Sequence, residues 1–167
     1  MTAVPIVAAL GAILVLAGCQ MPQQPRQFGG TSPALRATYT QASLEQANRQ
    51  VDRFEAARST QGMSGVSADI ENCYRNTTRP VLQFVPLREC MIYDTFAVRL
   101  DEEVTKQLGL GGGIPFFSKQ AFGVRLQRYA ARAGFYEPQV MVGYLRQGAD
   151  TMFAVVVDRQ RSSPRRP

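Results

Sequence analysis

The chain has 167 residues, 45% of them hydrophobic, with no histidine, no tryptophan and a formal net charge of +6 at pH 7. That length suits one domain with a real core and leaves little room for a second. The lack of histidine removes the commonest general base and every histidine-dependent nucleophilic triad, while the positive charge favours acidic partners without choosing among them.

The N-terminal feature is an apolar run from Val4 to Ala17, free of charged side chains and ending in Leu16-Ala17-Gly18-Cys19. Such a run is too short to cross a bilayer comfortably, which takes about 20 apolar residues, and the small residues before Cys19 suit an export peptidase. The segment resembles the signal of bacterial lipoproteins. It departs from that pattern in one respect, since the first basic residue, Arg26, follows the apolar core instead of preceding it. The resemblance implies a signal peptide over residues 1–18, cleavage before Cys19, and a mature chain that begins at a lipid-bearing Cys19. In the same family an Asp after the cysteine goes with inner-membrane retention, so Gln20 implies the periplasmic face of the outer membrane. An ordinary secretory signal cut near Ala17 and an uncleaved anchor are the competing readings. Residues 19–33, with three prolines and Gly29-Gly30, read as a disordered tether with a reach of about 20 Å.

Residues 34–158 are predicted to form one all-α domain. From Ala34 to Ala57, Leu44, Ala47, Val51 and Phe54 recur at alternating three- and four-residue spacing, a narrow stripe suited to one neighbour. Gly62, Ser64 and Gly65 interrupt, and Ser67 is placed to cap a short helix through Cys73. Pro80 and Pro86 bracket Val81 to Val85, a stretch compatible with a buried connection, a helical turn or a brief strand. The core helix is expected from Leu87 to Leu108, with Tyr93, Phe96, Ala97, Leu100 and Val104 on its apolar face. Glycines from Gly109 to Gly113 stop it; the run lacks the Gly-Lys-Ser/Thr ending of a phosphate loop and reads as a turn. Ser118 caps the next helix, where Phe122, Leu126, Tyr129 and Ala133 share a face, and Gly134 ends it. The last helix follows Pro138, on a stripe of Met141, Leu145, Ala149, Met152, Phe153 and Val156. Residues 159–167 read as a disordered basic tail.

Once Cys19 is assigned to lipid, Cys73 and Cys90 remain as an even pair in an exported domain. Each lies about one turn from the connection between its two helices, so an antiparallel hairpin sets them opposite one another and a disulfide is expected. Two separate buried thiols are the alternative.

Catalytic sets are sparse. Asp101, Glu102 and Glu103 are consecutive on a helix and fan around its axis, which suits a solvated face. Asp94 lies among apolar residues, with Arg88 or Arg99 as a prospective ion-pair partner, and no metal or cofactor site is expected. The leading expectation is therefore a noncatalytic, outer-membrane-anchored periplasmic lipoprotein that binds an envelope protein in assembly, secretion or structure. Its candidate contact residues are Phe116 and Phe117, as an exposed tip, and Arg159, Arg161, Arg165 and Arg166 of the tail. Arg125, Arg128 and Arg132 should add a basic helix face. An envelope enzyme using carboxylates and a direct anionic-lipid or glycan binder are the rival readings. Nucleic acid matches the charge alone and is not expected of an exported chain that lacks a recognition motif.

Lipidation at Cys19 is directly testable. Intact mass spectrometry of the membrane-extracted protein should find a chain beginning at Cys19 with added acyl mass, and a mature Cys19 of bare mass would reject the assignment.

Overall fold

The computed structural model describes residues 32–110 and 113–162, which contain five α-helices and no strand. The signal segment, Cys19 and nearly all of the tether lie outside the described residues, as do Gly111, Gly112, Arg165 and Arg166. Among the described residues no helix is long and apolar enough to cross a membrane.

The first expected helix is divided in two. Helix α1 spans Pro33–Thr38 and α2 spans Gln41–Thr78. The backbone turns extended at Tyr39 and Thr40, where the Thr40 hydroxyl accepts from Ser43 N–H and starts α2 with a side-chain cap. Periodicity alone does not register the break, whose local signal is the Thr40 cap.

Helix α2 is a hairpin in its own right. At Gly62 the backbone takes φ +62°, φ/ψ values that only glycine adopts without strain, and the preceding Gln61 is also non-helical. The second arm folds back so closely that a Cβ at Gly65 would strike the Ala57 carbonyl oxygen. Arg53 and Asp69, about 24 Å apart in a straight helix, form a salt bridge of 2.6 Å across the bend. Ser67 therefore caps nothing: its hydroxyl donates to the Ser64 carbonyl inside a helix that has already resumed. The expected interruption by Gly62 and Gly65 is real, but it reverses the chain within one residue pair and leaves no loop.

Helix α3, Phe84–Gln107, is the core helix expected from the sequence, and it is buried further round than one stripe requires. The nine residues from Cys90 to Val98 are all buried, polar Asp94 and Thr95 among them. Both arms of α2, together with α4 and α5, surround this central stretch. Val104, assigned to the apolar face, is instead exposed, and burial along α3 ends near Leu100. The Val81 to Val85 stretch is neither buried nor a strand: Val81 is exposed in the turn, and Phe84 and Val85 are exposed in the first turn of α3.

A 3-10 turn at Pro115–Phe117 leads into α4, Lys119–Ala130, whose cap is the Ser118 hydroxyl accepting from Ala121 N–H. Leu126 and Ala133 are buried and Phe122 and Tyr129 pack against the core, the shared face read from their spacing. Helix α5 spans Pro138–Ser162 and buries Met141, Leu145, Ala149, Met152 and Val155. It approaches α3 so closely that a Cβ at Gly148 would overlap the Ile92 side chain. Because α5 continues through Ser162, Arg159 and Arg161 belong to a helix and not to a disordered tail.

Cys73 and Cys90 form a disulfide between the second arm of α2 and α3, with Cα atoms 5.8 Å apart and a sequence separation of 17. Replacing both by alanine should lower unfolding free energy by about 3 kcal/mol, the loop-closure value for this separation. Urea denaturation followed by circular dichroism measures it, and no loss of stability would show that the bond constrains an already ordered hairpin.

Candidate functional site

Helices α2 and α4 converge on an open cleft of about 960 Å³. Its walls carry two arginines each: Arg75 in the last turn of α2 with Arg79 at its extended C-cap, and Arg128 near the end of α4 with Arg132 in the 3-10 turn that continues it. At the floor the Tyr74 and Tyr129 rings stack with centroids 4.2 Å apart and planes within 6°, which fixes the separation of the two walls.

Charge balance in the cleft is lopsided. Glu71 is the only carboxylate among its lining residues, against Arg75, Arg79, Arg125, Arg128 and Arg132. Among the described residues, Arg125 alone of the five is neutralised by a salt bridge. Its guanidinium grips Asp94 through two bonds, Nε to Oδ2 at 2.9 Å and Nη2 to Oδ1 at 2.8 Å, and gives a third to the Phe116 carbonyl at 2.7 Å. The Phe116 ring lies flat beneath it, 3.8 Å from the guanidinium carbon to the centroid.

Asp94 is 0% exposed, and the Tyr74 hydroxyl completes its shell by donating to Oδ2 at 3.0 Å. Burial pushes the Asp94 carboxyl above the ordinary carboxylate range, while the bonds from Arg125 and Tyr74 pull it down. Burial also raises the Tyr74 hydroxyl well above its ordinary value, and the adjacent Asp94 charge adds to the rise. Tyr74 consequently remains a proton donor to Asp94 at neutral pH. The group joins α2, α3 and α4 through one buried charge pair.

The structure redistributes the residues expected to act. Asp94 pairs with Arg125, not with Arg88 or Arg99. Arg88 donates to the Ala133 carbonyl, and Arg99 reaches Asp150. Phe117 is buried in the core and Phe116 is half covered beneath Arg125, so the two rings form no exposed tip. Apolar demand at a short turn outweighed their position in a loop. Arg159 folds onto α2, bonding Asp52 at 2.8 Å and the Asn48 side-chain oxygen at 2.8 Å, with Glu55 at 3.5 Å. It is a packing residue of the α2–α5 contact. Arg161 stays near the surface at the end of α5. Asp101 is partly covered by the loop that follows α3, where a Cβ at Gly113 would collide with its carboxylate, and Glu102 pairs with Lys119. The three consecutive acids do not converge. Among the described residues no group of three or more Cys, Asp or Glu side chains is arranged to hold a metal.

The spacing of Arg125, Arg128 and Arg132 gives the basic face of α4; Arg75 and Arg79, four residues apart in sequence, join it only across the cleft. Compared with known protein families, with curated proteins and with solved structures, the chain has no significant match in any of the three.

Removing one partner of the buried pair should be costly. Arg125→Met is expected to destabilise by about 3–5 kcal/mol, and adding Asp94→Asn should restore part of that loss by removing the stranded charge while keeping an acceptor for Tyr74. Chemical denaturation of the two variants and the double mutant measures the coupling, and strictly additive losses would contradict the paired assignment.

Proposed function

We propose that the protein is a noncatalytic binding module of the bacterial envelope, held at the outer membrane by lipid on Cys19, and that the α2–α4 cleft receives an acidic segment of another envelope protein. The observation that carries this reading is the set of four arginines, Arg75, Arg79, Arg128 and Arg132, that line an open cleft with a single lining carboxylate and, among the described residues, make no salt bridge. Arginines on two facing walls present planar forks to carboxylates, while Val124 and the partly exposed Tyr129 offer apolar contact between the charges. Such a surface speeds encounter and selects partners of opposite charge.

A binding role also agrees with the state of Asp94. As the carboxylate with the strongest environmental perturbation near the cleft, it is the natural candidate for acid–base chemistry, yet both its oxygens are engaged and it has no exposed surface. Its placement suits a support for Arg125 and Tyr74, which in turn set the cleft floor.

The test is in-cell crosslinking from a photoreactive residue at position 124, which is exposed in the cleft. A discrete envelope-protein adduct is expected, and Arg128→Glu with Arg132→Glu should abolish it while the helical circular dichroism signal is unchanged. An adduct indifferent to charge reversal would overturn the cleft assignment, and a reaction turned over by the purified protein would overturn the noncatalytic reading.

A further inference from the structure

The arginine cleft divides its charge between two walls. Arg75 and Arg79 stand on the α2 wall and Arg128 and Arg132 on the α4 wall, all four exposed and, among the described residues, in no salt bridge. The walls meet at the floor, where Tyr74 of α2 and Tyr129 of α4 stack with centroids 4.2 Å apart, so one chain lying along the cleft has arginines on either hand. Gln120 is also exposed in the lining, and its amide carries both hydrogen-bond donors and an acceptor.

This division discriminates between shapes of ligand. In an extended chain successive side chains point to opposite sides, so a run of consecutive acids sends every other carboxylate to one wall and the rest to the other. An amphipathic helix with its acids three and four residues apart gathers them on one face and engages one wall. A helix that is acidic all round is weakened by like charges at that same spacing. A block of like charges stays unfolded by itself and arrives with its backbone groups unpaired. Gln120 can bond such a backbone, whereas a helix has already satisfied its own N–H and C=O groups.

We propose that the cleft selects an extended segment with a run of about four consecutive Asp or Glu residues, alternate carboxylates going to Arg75 and Arg79 on one side and to Arg128 and Arg132 on the other. This rests on the reading of the cleft as the receiver of an acidic protein segment, and it adds the conformation and the residue pattern of that segment. Glu71, the single carboxylate of the lining, stands on the α2 wall four residues before Arg75 and limits the run at that end by like-charge repulsion. Arg125 takes no part in the selection, since its charge is held by Asp94.

Fluorescence anisotropy with the full-length protein and labelled peptides tests the pattern. Three probes carry four glutamates each and no other charged side chain: a consecutive run flanked by glycine and serine, a sequence in which glutamate alternates with serine, and a hydrocarbon-stapled alanine helix with glutamates at four-residue spacing. Net charge is equal, so the probes differ in arrangement. The consecutive run should bind about tenfold more tightly than either of the others, the share of the two further charge contacts made at the second wall. Arg128→Gln with Arg132→Gln should remove that preference, so that all three bind alike. Arg75→Gln with Arg79→Gln should do the same from the other wall, and either pair suffices if the other folds poorly. An alternating or helical peptide that binds the unaltered protein as tightly as the run would overturn the proposal while leaving the acidic preference of the cleft in place. A preference for the run that survives the loss of one wall would overturn it equally. Failure of all three peptides to bind would overturn the cleft reading itself, and this proposal with it.

Discussion

A helix that buries nine consecutive residues must have neighbours on every side, and α3 imposes that demand on the rest of the chain. One amphipathic partner would cover only part of its circumference. The fold meets the requirement by bending α2 back on itself at Gln61 and Gly62, so that two arms come from one stretch of sequence, and by closing the remaining sides with α4 and α5. Phe96 shows the result in detail: Phe54 from α2 meets it edge-on at 5.2 Å, and Phe153 from α5 lies 4.7 Å away. The aromatic contacts run through the centre of the bundle in a continuous line.

Burying α3 all round also buries a charge. Asp94 has no route to water, and the chain compensates with a bidentate arginine from α4 and a tyrosine hydroxyl from α2. This solution has a functional corollary. The groups that satisfy Asp94 are the ones that form the cleft floor: Tyr74 stacks on Tyr129, and Arg125 is held against Phe116. The neighbouring arginines make no salt bridge among the described residues, which is the basis of the ligand site proposed there. Stability and electrostatic display are therefore separated by only one turn of helix.

How much of this was legible beforehand differs by the range of the interaction. Helical spacing identified α3, α4 and α5, the serine cap at Ser118, and the cysteine pair, because each depends on residues a turn or two apart or on an even count of thiols. The bend at Gly62 was marked by glycine, but its reversal was not, since a close approach between Ala57 and Gly65 is decided by what α3 needs on either side. Likewise Asp94 stood out as an acid among apolar residues, while its partner was 31 residues away and recognisable only once α4 packed across α3. Phe116, Phe117 and Arg159 looked available in the linear chain and were absorbed by packing. Val81, Phe84 and Val85, whose stretch was compatible with a buried connection, a helical turn or a brief strand, are left outside because a tight turn between two antiparallel helices cannot direct every side chain inward. Local periodicity thus determined which segments are helical, and the competition among those helices to cover α3 decided which side chains remained free to meet a partner.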